Sequence, residues 1–234
     1  MSLKKIVLYL FVLLIGATGY AQQKEKLSRK KLAQEAAKQQ ITLLHNGALL
    51  VRLKTKQKSI DALNQAGKRK LAEKVKKQQD EINLQIIKAF AKNFDFCSTY
   101  FFLSDDSRFI INKQLDSLYF IGDDLKVDST IKFNNTSFLT AEFTVIEQDT
   151  AKHFDYYESV PGKDGPEQRS SYQGGTNFGF GALIIKSDQF VQLRKPFPYY
   201  VRKLDSLPFK RKPKTVVKKM NQQLHGFYKM HGKW

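Results

Sequence analysis

The first half of the chain spaces its apolar residues as a helix does. Between residues 25 and 92 the sequence is rich in Lys, Gln, Ala, Leu and Glu and has no proline, a composition that favours helices. Steps of three, four and seven residues place the apolar positions on one stripe. Glycines at Gly47 and Gly67 interrupt it, so we expect a helical hairpin or three helical pieces. The stripe consists of Leu49, Leu53, Ile60, Leu63, Leu71, Val75, Ile82, Ile86 and Phe90.

A coiled coil is the alternative for this segment. The heptad register fails between Leu63 and Leu71, which are eight residues apart, so helices packed within one chain are the better prediction. Pairing between chains, which would make this a helical self-assembly protein, stays open. The run Leu49, Leu50 and Val51 is too apolar for an isolated helix in solvent, and we expect it to pack on the domain that follows.

Shorter apolar runs after residue 93 predict strands with helices between them. Ser98–Leu103 suits a strand covered on both faces, and a short helix carrying Phe109 and Leu115 should follow it. Leu118–Ile121 predicts a second strand. Leu139–Val145 alternates with period two, which is typical of a half-exposed strand.

The last third of the chain predicts a loop, a hairpin and a helix. Residues 159–177 hold two prolines and four glycines, which indicates a long loop. Ala182–Lys186 and Gln189–Leu193 should form a hairpin. Lys214–Tyr228 is a helix with one apolar and one basic face, which docks on the sheet or, less favourably, lies on a membrane. The fold class is therefore α+β: an N-terminal helical segment packed on a mixed sheet with a C-terminal helix.

The N-terminus has the three parts of a secretory signal peptide. Lys4 and Lys5 precede an unbroken apolar run, and Gly19 and Ala21 provide small residues before a cleavage site between Ala21 and Gln22. The segment resembles the export signals of Gram-negative bacterial proteins, which implies a periplasmic or secreted location. We expect a signal peptide over 1–21, a basic helical segment over 22–93 and a mixed α/β domain over 94–234, with no transmembrane span in the mature chain.

Charge is unevenly distributed along the chain, whose net charge is +18. Residues 24–92 carry 18 Lys and Arg against 6 acidic residues, and residues 206–234 carry 8 against none, whereas 95–205 carry 12 against 16. Such asymmetry indicates contact with an anionic partner, or solvated helix faces. Because export argues against nucleic acid, the expected partner is an anionic envelope component or another envelope protein.

Two groups of residues are candidates for ligand contact. The cluster Lys210, Arg211, Lys212 and Lys214 is interrupted by proline and is the best local candidate for binding an anion. An aromatic group with an arginine can stack on sugars or bases, although it can equally close the bottom of a core. That group consists of Arg194, Phe197, Tyr199 and Tyr200.

Candidates for catalysis are weak. Cys97 is the only cysteine; it lies among aromatic residues and is better explained by core packing than by a reactive thiol. His153 and Asp155 would share a face of a strand, with Glu158 nearby, but a metal site needs three or four ligands. The glycines of 174–181 do not match a phosphate-binding loop. We therefore expect no cofactor and no metal.

These observations favour an exported, non-catalytic interaction protein over two alternatives. The first alternative is a periplasmic enzyme with a pocket near the 159–177 loop that uses Cys97, His153 or Asp155. The second is the helical self-assembly protein, whose oligomeric state the sequence leaves open.

Overall fold

The computed structural model describes residues 27–135, 137–147, 153–159, 166–172, 180–204 and 211–232. For 153–159 and 166–172 it describes the backbone alone. Among these residues it contains helices and a five-stranded mixed sheet, as the sequence predicts for an α+β protein. The helices are α1 (27–46), α2 (Gln57–Gln65), α3 (Arg69–Asn93), α4 (Ser107–Ile111) and α5 (Pro213–His231).

The sheet has the strand order β2-β1-β3-β6-β7. Strand β1 lies between two parallel neighbours, β2 and β3, while β6 and β7 continue the sheet antiparallel. A separate antiparallel pair is formed by β4 and β5. The strands are β1 (Ala48–Leu53), β2 (Ser98–Leu103), β3 (Phe138–Val145), β4 (His153–Ser159), β5 (Pro166–Tyr172), β6 (Gly181–Lys186) and β7 (Tyr200–Arg202).

The prediction that Leu49 and Leu53 belong to a helical stripe is wrong, because they lie in β1, near the centre of the sheet. A leucine-rich run satisfies the spacing of a helix and the requirements of a doubly buried strand equally well. Residues 48–51 and Leu53 are fully buried, so tertiary burial decides between the two. The helical prediction holds for α2 and α3.

Other strand predictions need smaller corrections. Leu118–Ile121 makes only an isolated bridge, between Ile121 and Val127, while Leu118 and Phe120 pack in a small core cluster. β3 is largely buried rather than half exposed, because Leu139 and Ala141 pack into the main core on one face while Thr140 and Glu142 are buried on the other. Pro166–Tyr172, within the expected loop, pairs with β4. The predicted hairpin partner of β6, Gln189–Leu193, contributes only one bridge, from Gln192 to Lys186, and β6 pairs instead with β3 and β7.

The main core lies between one face of the sheet and helices α1, α3 and α5. Alternate residues of each strand, such as Leu49 and Val51 in β1, point into it. The apolar face of α5 docks there through Val216, Val217, Met220 and Leu224, as its spacing predicts. A second, smaller cluster on the opposite face contains Leu50, Phe102, Ile110, Leu118 and Phe120.

Polar contacts fix α5 beside α1 and β2. Asp95, just before β2, accepts hydrogen bonds from Asn221 and His225 on α5, both at 2.8 Å. Both hydrogen bonds hold the pKa of Asp95 below its usual range, and the one from Asn221 has the larger effect. The His45 ring of α1 stacks on Tyr228 with 3.9 Å between ring centroids. These contacts determine where the outer face of α5 lies.

An ionic network is buried on the second face of the sheet. Glu142 of β3 pairs with Arg52 of β1 at 2.9 Å and with Lys186 of β6 at 3.0 Å, and Lys186 also reaches Glu147 at 2.7 Å. Burial alone would raise the pKa of Glu142, but hydrogen bonds from Lys186 and Arg52 outweigh it and lower the pKa. Glu142 is therefore charged in the folded protein, and its polarity explains the alternation along β3.

We expect Glu142→Gln to lower the free energy of unfolding by about 3 kcal/mol, because it removes the charge that two partly buried cations share. The half-exposed second partner of Lys186 gives the control: Glu147→Gln should lower the free energy of unfolding by less than about 1 kcal/mol. Because the folded pKa of Glu142 is lowered, its contribution is present above the unfolded value of about 4.3 and is lost as pH falls below it. Urea unfolding across pH should therefore show weaker acid destabilisation in Glu142→Gln; an unchanged pH profile would contradict this assignment.

Candidate functional site

An open groove of about 970 Å³ lies at the edge of the sheet, between residues 195–202 and helix α5. We call it the edge groove. One wall is the aromatic segment that ends in β7, and the other is the outer face of α5 around Lys219, Gln223 and Phe227. Its volume is within the range of ligand sites.

Aromatic side chains give the groove its apolar surface. Phe197 is buried and anchors the first wall to the core. Its ring lies edge-on to Phe227 of α5, with 6.2 Å between centroids. Tyr199 and Tyr200 line the same wall, with their ring centroids 4.8 Å apart. Burial raises the pKa of Tyr199, so its hydroxyl stays protonated and able to donate a hydrogen bond.

The charged residues that line the groove are all basic. They are Lys195, Arg202, Arg211 and Lys219, and the described lining contains no acidic residue and no histidine. The Arg211 guanidinium donates a hydrogen bond to the carbonyl oxygen of Arg202 at 3.1 Å. Arg202 lies over the Phe180 ring, 4.4 Å from its centroid. Two of the four cations are thus held by the fold, whereas the side chains of Lys195 and Lys219 extend from exposed positions.

Gly226 leaves an opening in the wall formed by α5. It lies inside the helix, where glycine costs about 0.5–1 kcal/mol relative to alanine. A Cβ atom added there would meet no atom of the described residues within 4 Å, so close packing against those residues does not explain the glycine. Gly226 lines the edge groove, and the missing side chain makes the groove wider.

The structure brings together residues from both groups that the sequence singled out. Phe197, Tyr199 and Tyr200 from the aromatic group meet Arg211 from the basic cluster. Arg194 is exposed outside the groove, although its charge lowers the pKa of Tyr199 against the larger effect of burial.

Two other members of the basic cluster, Lys212 and Lys214, do not line the groove. Lys212 occupies the N-cap position of α5, and Lys214 is exposed in its first turn. Lys210 lies outside the described residues, as do Ala21 and Gln22 at the predicted cleavage site.

Sequence reasoning missed Lys195, Arg202, Lys219 and Gly226. Lys219 and Gly226 lie on the outer face of an amphipathic helix, where a solvated side chain is the ordinary expectation. The isolated glycine within that helix was the one signal available. Only the packing of α5 beside β7 shows that these residues share a groove.

Three of the four catalytic candidates lie where the structure describes no side chains, so their convergence stays a prediction. His153, Asp155 and Glu158 lie in β4, of which only the backbone is described, so the predicted pocket near 159–177 lies outside the described side chains. Cys97 packs partly buried against the main core. No three His, Cys, Asp or Glu side chains of the described part cluster as a metal ion would require.

Comparisons with known proteins do not assign this chain to a family. No family model matches the sequence, and no curated protein or solved structure is similar to it. In the described part of the chain, none of the helices combines the length and the apolarity needed to cross a membrane. The function is therefore inferred from the residues that line the edge groove.

Cys97 should behave as a packed side chain. Burial raises the pKa of its thiol to about 12, so the native protein holds very little thiolate at neutral pH. We expect slow labelling by a thiol reagent in the native state up to about pH 9, and fast labelling after denaturation, when the pKa returns to about 8.5. Fast native labelling below pH 7 would contradict this assignment.

Gly226→Ala should stabilise the protein by about 0.5–1 kcal/mol, because alanine is the better helix former and the added methyl group has space. Urea unfolding measures the gain. A matched substitution, Gln223→Ala, changes another groove-lining position of α5 and should shift stability by less than about 0.5 kcal/mol. Destabilisation by Gly226→Ala would mean that the glycine is required for packing.

Proposed function

We propose that this chain is an exported, non-catalytic interaction protein of the bacterial periplasm or cell envelope that binds an anionic partner in the edge groove. The observation that carries the proposal is the set of four cations, without an acidic residue, along the described lining. Electrostatic complementarity of this kind selects partners and speeds their encounter. The signal-like N-terminus supports export.

The chemical groups that line the groove also support binding rather than catalysis. Its described lining offers lysine, arginine, tyrosine and glutamine as polar groups. These can hold a carboxylate or a phosphate by charge-assisted hydrogen bonds. The aromatic rings add apolar surface, and the pairing of large rings with arginine is typical of binding hot spots.

Charge reversal at exposed groove positions tests the proposal. The probes are labelled polyglutamate and vesicles of anionic phospholipid, titrated at low and at physiological salt. We expect the protein to bind at least one probe, and binding to weaken with salt because exposed charges are screened within about 8–10 Å. Lys195→Glu with Lys219→Glu should weaken it at least about tenfold.

A variant of equal charge change separates groove binding from general attraction. Lys74 and Lys77 are exposed on α3, so Lys74→Glu with Lys77→Glu lowers the net charge by the same amount without touching the groove. Its loss of affinity should be much smaller. Equal losses in the two variants, or binding of neither probe at low salt, would overturn the proposal.

A further inference from the structure

We propose that the edge groove binds an extended acidic peptide, which adds to the sheet as a strand beside β7. This inference rests on the proposed function, because it names the class of partner for the same groove. Addition of a strand to a sheet edge is a general mode of peptide recognition, in which main-chain hydrogen bonds give affinity and side-chain contacts give specificity.

Strand β7 leaves one of its edges without a strand partner in the described part of the chain. It is the last strand in the sheet order, and the strand that pairs with it in the described part is β6. The Ile185 N–H donates to the Tyr199 carbonyl at 2.7 Å, and the Lys203 N–H donates to the Gly181 carbonyl at 2.8 Å. Backbone groups alternate in direction along an antiparallel strand. Those of Tyr200 and Arg202 therefore point away from β6, toward the outer edge.

A hydrogen bond at that edge supports the assignment. The carbonyl of Arg202 accepts the Arg211 guanidinium at 3.1 Å, from the side opposite to β6. An incoming strand would therefore pair through the N–H and carbonyl of Tyr200 and the N–H of Arg202, and Arg211 would lie at its end. A cation at that position favours an acidic residue in the peptide.

The groove has space for a strand between β7 and α5. Its volume is about 970 Å³, and Gly226 keeps the helix wall free of a side chain at a point where a Cβ atom would meet no atom of the described residues. Neighbouring strands lie about 4.8 Å apart, so the edge groove brings a peptide backbone close to β7 and its side chains close to α5. A glycine that costs helix stability is explained if it admits a ligand.

Side-chain alternation along β7 indicates the peptide pattern. Val201 points into the main core with Leu183, whereas Tyr200 and Arg202 point to the opposite face. A peptide residue opposite Val201 would share its face with Phe227 of α5, so an apolar residue fits there. The residue opposite Arg202 would lie beside that cation, so an acidic residue fits there. The expected ligand alternates acidic and apolar residues.

The experiment compares a labelled peptide of alternating Glu and Val with its twin that is N-methylated at alternate backbone amides. N-methylation removes hydrogen-bond donors and keeps every charge. We expect the native protein to bind the unmodified peptide at least about tenfold more tightly than the twin. Gly226→Leu, which fills the opening, should also weaken binding of the unmodified peptide.

Two substitutions of Tyr200 test whether its backbone N–H pairs with the peptide. Tyr200→Pro removes an N–H that faces away from β6, a position at which an edge strand tolerates proline. Tyr200→Ala keeps that N–H and removes the same ring. If a strand is added, Tyr200→Pro should bind the peptide at least about tenfold more weakly than Tyr200→Ala, while unfolding by urea shows both variants folded.

The outcomes separate this inference from the proposed function. Equal affinity for peptide and twin, together with loss of binding in the Lys195→Glu and Lys219→Glu variant, would overturn strand addition and leave an anion-binding groove. Binding of anionic vesicles through the same lysines, without binding of the peptide, would assign the groove to a lipid surface and overturn the inference. Binding that groove charge reversal does not change would overturn both.

Discussion

Burial of β1 on both faces is the constraint on which the rest of the structure depends. Strand β1 has a parallel neighbour on each side, and residues 48–51 and Leu53 are buried. A strand in that position needs cover on both faces and hydrogen-bond partners on both edges. Helices α1, α3 and α5 cover one face, and the smaller apolar cluster with the ionic network covers the other.

The ionic network shows how a charged residue is accommodated near the middle of this sheet. Arg52 follows Leu50 on the second face of β1 and lies directly opposite Glu142 of β3. Lys186 completes the contact from β6. A buried pair gains little net stability, because desolvation opposes the attraction, but removal of one member leaves an uncompensated charge. The network therefore constrains β1, β3 and β6 to one register, since a shift by one residue would move its members to the other face.

The edge groove forms at the edge of the sheet where β7 is the last strand. Strand β7 is only three residues long, and α5 lies beside it without covering the groove. Short edge strands with flanking basic residues are a common protection against unwanted pairing. Here the residues beside the edge strand are the cations and aromatic rings that line the edge groove. In the binding that we propose, the cations that protect the edge would also recognise the acidic partner.

The sequence by itself determined the elements whose signals are local. The amphipathic spacing in α3 and α5, the apolar runs of β2 and β6 and the period-two alternation of β3 were sufficient to predict them, and the α+β class followed. Phe197, Tyr199, Tyr200 and Arg211 were also named from the sequence, as members of two separate groups. Only the tertiary structure decided that Leu49 and Leu53 form a strand, because burial on two faces outweighs a helical spacing that the same residues satisfy. It also decided that Lys195, Arg202, Lys219 and Gly226 share one groove, since the contact between α5 and β7 joins residues whose spacing along the chain carries no such information.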